Sequence, residues 1–324
     1  VQIFGVADYN ANQDLDKTFG FGIGRAHLGY QYQFAEDWSA KMILDRGRST
    51  SVGQITVTDT AGNDLNVSQP VQEGSYYTMT LKFATLAWQV TPKLRIEGGG
   101  ILQNHFITQE RFWGYRYLAK TFQDRYFHTP SGDLGFIAYY QLNETFSIDA
   151  ALTNGEGFRS DQDSYGKVKT AAGLDINPGN PFQSRIYYAN KPSGDPVNDA
   201  TQELVSMFAG YRLPEVFRVG GEYNYHINHH NMGGKDLYGY SLFGSYTIND
   251  ETSVFARFDH LTSNTLAGQG NAWNHQENGK AVITGIHHSP VNNVSLSLNY
   301  KGWMPESNEL ETQHQVMLNF EFKW

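Results

Sequence analysis

The chain has no cysteine and no apolar run long enough to make a transmembrane helix, and its positive charges are outnumbered. The missing thiols fit an export route through an oxidising compartment, where stray cysteines are a liability. A membrane-spanning helix needs roughly 18–20 consecutive apolar residues, and no stretch approaches that. A mean hydropathy of −0.50 reads as soluble on average. It does not exclude a β-barrel, whose strands have one lipid face and one wet face and so keep a low mean hydropathy. The net charge of −9 argues against nucleic acid as a partner. No acidic or basic run is long enough for a disordered tail. Phosphate-binding glycine loops of the GxxxxGK[ST] or GxGxxG type are absent, as is GxSxG, so nothing points to a nucleotide, a cofactor or a catalytic serine. The chain begins at Val1 with no charged and apolar leader ahead of it, and is read as a mature form.

What the chain does have is 33 glycines, 20 tyrosines and 20 phenylalanines in 324 residues. Strand-like segments recur throughout, many with period-2 alternation. Sixteen are read: 1–9, 21–34, 38–48, 75–90, 94–106, 133–142, 146–154, 168–177, 182–191, 203–213, 216–227, 237–248, 252–262, 280–289, 293–303 and 313–324. No linker interrupts them, so residues 1–324 form a single domain. The connections alternate between short and long. The short ones, such as Ala35-Glu36-Asp37, Thr91-Pro92-Lys93 and Asn249-Asp250-Glu251, hold the residues that tight turns need. The long ones are 10–20, 49–74, 107–132, 155–167, 192–202, 228–236, 263–279 and 304–312.

In an up-and-down barrel, odd and even connections emerge at opposite rims. The alternation therefore predicts an all-β fold: a 16-stranded antiparallel transmembrane β-barrel with short periplasmic turns and long extracellular loops. The faces agree. Leu28, Tyr30, Tyr32 and Phe34 oppose Arg25, His27, Gln31 and Gln33; Tyr77, Met79, Leu81 and Phe83 oppose Thr78, Thr80 and Lys82; Val316, Leu318, Phe320, Phe322 and Trp324 oppose Gln315, Asn319, Glu321 and Lys323. Large aromatics gather near strand ends, as interfacial girdles do. Charges of both signs on the other face imply a wet interior. Alternation puts Arg25, Lys41, Lys82 and Arg95 on the lumen side of four neighbouring strands, with Glu97 and Asp45 close by.

On the sixteen-strand rhythm, the terminal Phe320-Glu321-Phe322-Lys323-Trp324 and the position of 107–132 as third long loop, the chain resembles bacterial outer-membrane porins. The wording of that loop is nearer the group of phosphate-selective porins O and P than the general porins, whose Pro-Glu-Phe-Gly-Gly type segment it lacks. The resemblance implies an integral outer-membrane protein among lipid, a homotrimer, and a third loop folded into the barrel as the constriction. It implies a water-filled channel for passive diffusion of small hydrophilic solutes and ions. A channel specific for an anionic or sugar-like solute is the alternative, and an adhesin or enzyme built on a barrel is a third.

The third loop carries Glu110, Arg111, Arg116, Lys120, Asp124 and Arg125 as charges, and Trp113, Tyr115 and Tyr117 among its flat surfaces. Between Gln109 and Phe127 there is no proline and one glycine, so a short helix is expected. On it Arg116 and Lys120 would lie at i,i+4 with Asp124 a turn further on. Charges would face the pore, with a mild anion or mixed preference, and aromatics would fix the loop to the wall. The histidines at 226, 229 and 230 and at 287–288 have metal-like spacing, but no carboxylate or cysteine completes a set. They are read as a solvated loop, and no metal is expected.

Overall fold

In the computed structural model, residues 1–12, 19–47, 57–58, 64–65 and 78–324 are described. Strands β1 (Gln2–Asn10), β2 (Phe19–Gln33) and β3 (Trp38–Arg46) lead into a separate two-stranded ribbon, β4 (Val57–Thr58) with β5 (Asp64–Leu65). The barrel resumes with β6 (Met79–Thr91) and β7 (Leu94–Leu102). After the helices α1 (Ile107–Trp113) and α2 (Phe122–Tyr126) it continues through β8 (Gly132–Gln141), β9 (Phe146–Thr153), β10 (Lys169–Ile176), β11 (Phe182–Lys191) and β12 (Gln202–Leu213). It ends with β13 (Phe217–Ile227), β14 (Leu237–Asn249), β15 (Thr252–Ser263), β16 (Gly279–Val291), β17 (Val294–Pro305) and β18 (Gln313–Lys323). Sixteen of these close into one antiparallel barrel in sequence order, β3 pairing with β6 and β1 with β18. At that seam Gly5 stands opposite Phe320, and the Val1 ammonium donates to the Trp324 carbonyl at 2.8 Å.

Closure removes every open edge, as a sheet in hydrocarbon requires. Period 2 sorts the side chains. Along β15, Ser253, Phe255, Arg257, Asp259 and Leu261 are buried inside the ring, while Ala256 points outward. The outer face is a continuous apolar belt: Leu28, Tyr30, Leu86, Phe136, Ile186, Met207, Leu242, Leu298 and Leu318 are all exposed. A soluble monomer rarely exposes an apolar patch of more than a few hundred Å². A belt around a whole barrel is matched to lipid, and aromatic stacks mark its edge: Trp38 on Trp88 at 5.2 Å, and Phe322 on Trp324 at 5.4 Å.

Connections at one rim, between β2 and β3, β6 and β7, β8 and β9, and onward to β16 and β17, run to no more than five residues. The alternation reading of the strands holds with one correction. Phe83 was expected on the outer face with Leu81, but it is buried inside, because a β-bulge between Ile43 and Leu44 shifts the β3–β6 register and reverses the parity beyond it. Tyr77 and most of 49–74 lie outside the described residues.

Candidate functional site

The segment 103–131 departs from the barrel after Leu102, earlier than the strand expected to 106. It forms two short helices rather than one. Helix α1 stops at Gly114, which takes φ +73° and returns its N–H to the Glu110 carbonyl at 3.0 Å. That left-handed φ favours glycine, and a Cβ there would also press on the Arg218 guanidinium. Arg116 and Lys120 therefore do not share a helix face; they sit in the irregular stretch between α1 and α2. Both still reach Asp124, Arg116 at 3.4 Å and Lys120 at 2.8 Å, and Arg116 also pairs with Glu110 at 2.7 Å.

The aromatics of the segment pack against inward-facing residues of β12–β17. Phe112 meets Phe208 and Phe243, and Trp113 meets Phe243 and Phe255. The Phe112 ring lies where a side chain on Gly210 would stand. Trp113, Tyr115 and Tyr117 are buried and serve as anchors. Tyr115 Oη is 2.7 Å from Ser253 Oγ; Tyr117 Oη is 2.8 Å from His287 Nδ1; Tyr126 Oη donates to Asp259 at 2.9 Å. Burial holds the Tyr117 and Tyr126 hydroxyls above the usual phenol range, and the Asp259 carboxylate adds to this at Tyr126.

Two cavities flank the segment. The first, of 880 Å³, extends to the tight-turn rim at Pro178, Gly179 and Arg212. The second, of 840 Å³, extends to the other rim at His128, Glu156 and Arg159. Arg25, Lys82, Arg116, Asp124 and Ser131 border both, so the two cavities meet among these side chains. Glu110, Arg111, Lys41, Arg95 and Glu97 border the first cavity, and Lys120 and Arg125 the second.

The charge around this space is biased. The first cavity sets Arg25, Lys41, Lys82, Arg95, Arg111, Arg116, Arg185 and Arg212 against Glu97, Glu110, Asp124, Asp149 and Asp175. The second sets Arg25, Arg46, Lys82, Arg116, Lys120, Arg125 and Arg159 against Asp45, Asp124 and Glu156. Each carboxylate of the first cavity already belongs to an ion pair: Glu97 with Arg95, Glu110 with Arg116, Asp124 with Lys120, and Asp149 and Asp175 with Arg185. Lys82 is joined to Asp45 at 2.7 Å. Among the described residues Lys41 and Arg111 have no carboxylate within 4 Å; Arg25 instead donates to Gln2 and lies 4.6 Å over the Phe4 ring, and Arg212 donates to the Gly179 carbonyl. These two cavities are thus net positive in a chain whose total charge is −9, whereas a smaller cavity at Gly114 and Tyr115 sets Arg212, Arg218 and Lys323 against Glu215, Asp250, Glu251 and Glu321.

Several site residues escape sequence reasoning. Arg185, 2% exposed, binds two carboxylates in the wall. Arg218, Arg257 and Lys301 donate to main-chain carbonyls of the segment. A long side chain with inward parity was the available signal, but its partner depends on strand register. The histidine reading needs correction: His226 and His229 are buried, 2.8 Å apart through their Nδ1 atoms, with Phe127 stacked on His226 at 5.1 Å. Burial first, and then His230 and His128, push the His229 pKa down to about 3. Burial likewise holds His105 well below its ordinary value, beside Lys169 and Arg185. Among the described residues no group of three or more histidines and carboxylates is arranged to hold a metal.

No protein-family model matches the chain, and no curated protein matches it in sequence. Solved structures do match over its length. The outer-membrane channel DcaP of Acinetobacter baumannii superposes with a TM-score of 0.66 at 12% identity, over 100% of this chain and 95% of that one. OmpF of Salmonella typhi, solved with daunomycin, gives 0.67 at 12% over 99% and 96%. An anion-selective porin from Comamonas acidovorans gives 0.65 at 13% over 100% and 99%. With its closed sixteen-stranded barrel and lipid-matched belt, this chain has the fold of the bacterial outer-membrane porins.

Proposed function

We propose that the protein is an outer-membrane diffusion channel for small hydrophilic solutes, with the segment 103–131 as its constriction and a preference for anions. The observation that supports this reading is that Arg25, Lys82, Arg116 and Asp124 border both of two adjoining net-positive chambers. A cleft lined by one sign of charge concentrates counter-ions, and where water is confined the effect on passing ions is large. The tight turns face the periplasm and the long loops the exterior. Size is screened by the gap, and charge by the guanidinium and ammonium groups around it. The barrel assembles as a homotrimer in this reading. The test is purified protein in a planar bilayer under a salt gradient. Ohmic steps with an anion-directed reversal potential are expected; a silent bilayer would sink the channel reading, and a cation-directed potential would sink the anion preference.

The alternative of a channel specific for an anionic solute is favoured by one feature: among the described residues Arg25, Lys41, Arg111 and Arg212 have no carboxylate within 4 Å, and all four border one continuous cavity. They form a series of places for a carboxylate or phosphate group. Saturating block of the chloride current by millimolar organic anions favours this reading; block that grows linearly with concentration favours general diffusion.

A further inference from the structure

We propose that Arg218, Arg257 and Lys301 are positioning residues that clamp the segment 103–131 by its main chain. The proposal rests on the reading of that segment as the constriction. The three cations come from alternate strands, β13, β15 and β17, and all have inward parity. Each donates to a different backbone carbonyl of the segment: Arg218 Nη1 to Phe112 at 3.2 Å, Lys301 Nζ to Leu118 at 2.5 Å, and Arg257 Nη1 to Lys120 at 2.7 Å.

These carbonyls lie where the segment cannot satisfy itself. Phe112 is in the last turn of α1, whose final carbonyls have no helical partner and carry the negative end of its dipole. Leu118 and Lys120 lie in the irregular stretch between the helices. These bonds are half-buried, and there a carbonyl without a donor still costs stability, for which a cationic donor is the strongest available answer. Two of the clamps also cover an anchor ring: Arg218 lies 4.4 Å over Tyr115 and Arg257 lies 5.6 Å over Trp113. Arg257 does most, because its remaining nitrogens hold Asp259, which is fully buried. A lysine at that position could not serve both partners, since an ammonium lacks the planar fork.

The arrangement also sorts the lumen's positive charges by role. Cations of β2, β3, β6 and β7 line the two larger cavities, whereas none of the three clamp cations does, Arg218 bordering only the smaller one at Tyr115, and all three donate to peptide oxygens. The structure thus assigns the inner face of β13–β17 to holding the segment still. Its consequence is mechanical: the gap keeps its width under voltage because the peptide backbone is tied at three points, independently of side-chain packing.

The experiment uses the absence of cysteine: a spin label on Arg111→Cys is unique in the full-length barrel. Arg218→Met and Lys301→Met remove each donor while keeping the stem, and Lys301→Arg restores a donor. In unlabelled barrels that retain wild-type heat stability, the methionine variants are expected to raise open-channel current noise severalfold and to lower the voltage of closure. The label is expected to become severalfold more mobile, and Lys301→Arg to reverse the Lys301→Met effects. A label as immobile in both methionine variants as in the parent overturns the clamp. A label that loosens while current, noise and closure stay unchanged upholds the clamp and overturns the constriction reading instead.

Discussion

Arg25→Glu is the sharpest probe of the lumen, because Arg25 borders both cavities and has a glutamine and an aromatic ring, not a carboxylate, beside it. Among the described residues it has no ion pair within 4 Å; Glu110, Asp45 and Asp124 act on it only from further off, so a passing ion still feels its charge. At about 5 Å and the dielectric of water, one unit charge changes the energy of a monovalent ion by about 0.8 kcal/mol. At about 0.1 M salt the Debye length is about 10 Å, and screening trims that value to about 0.5 kcal/mol. Reversal is a change of two units, so an anion loses about 1 kcal/mol and a cation gains as much. Their permeability ratio should therefore move about thirtyfold toward cations, at about 1.4 kcal/mol per factor of ten. The assay is the reversal potential of the variant and the parent in the same salt gradient, repeated at about 1 M salt, where the Debye length falls to about 3 Å and the difference should shrink. A reversal potential that does not move at low salt would remove Arg25 from the ion path and refute the reasoning from the shared lining.

Other outcomes follow from the same geometry. Asp124→Asn frees Lys120 and takes one of its two carboxylate partners from Arg116, so it should strengthen anion preference, whereas Lys82→Glu, beside Asp45, should weaken it; reversal potentials read both. Trp113→Ala removes a side chain that is 1% exposed and should cost about 3–5 kcal/mol of local packing, seen as faster hydrogen exchange across 107–127 with the sheet still protected. His229, with a folded pKa of about 3, favours the neutral ring, so the unfolded loop takes up its proton first as pH falls below about 6.5. Its contribution to stability is full above that pH and is lost progressively down to about 3; local exchange around 226–231 should quicken over this window, and His229→Gln should flatten the dependence.

The sheet was legible because a barrel strand repeats every two residues and its connections alternate in length; neither signal needs a partner to be known. The address of the third loop came from counting. What the count cannot give is depth of contact. Arg218 and Lys301 look like ordinary lumen charges until register brings them to the carbonyls of residues about a hundred or more positions away. Phe83 was misplaced because one bulge reverses parity, and a bulge has no marker in its own residues. His226 and His229 read as solvated in the sequence because the ring that covers one of them, Phe127, arrives from the third loop. The single helix fails at Gly114, a residue visible in the sequence whose left-handed φ ends α1 there.

The segment leans on one side of the ring, and this divides the inner surface into a foundation and an aperture. Along β13–β17 many inward positions are taken up by rings, carbonyls and buried pairs, and a change at those risks the whole assembly. Along β1–β3, β6 and β7 the inward positions of the turn-side half border open water, and their charges can be exchanged with little cost to folding. A channel built this way can be re-dressed for a new solute by substitutions on one arc while the opposite arc keeps the frame. Variation in solute preference among barrels of this plan should accordingly concentrate on the first strands of the chain.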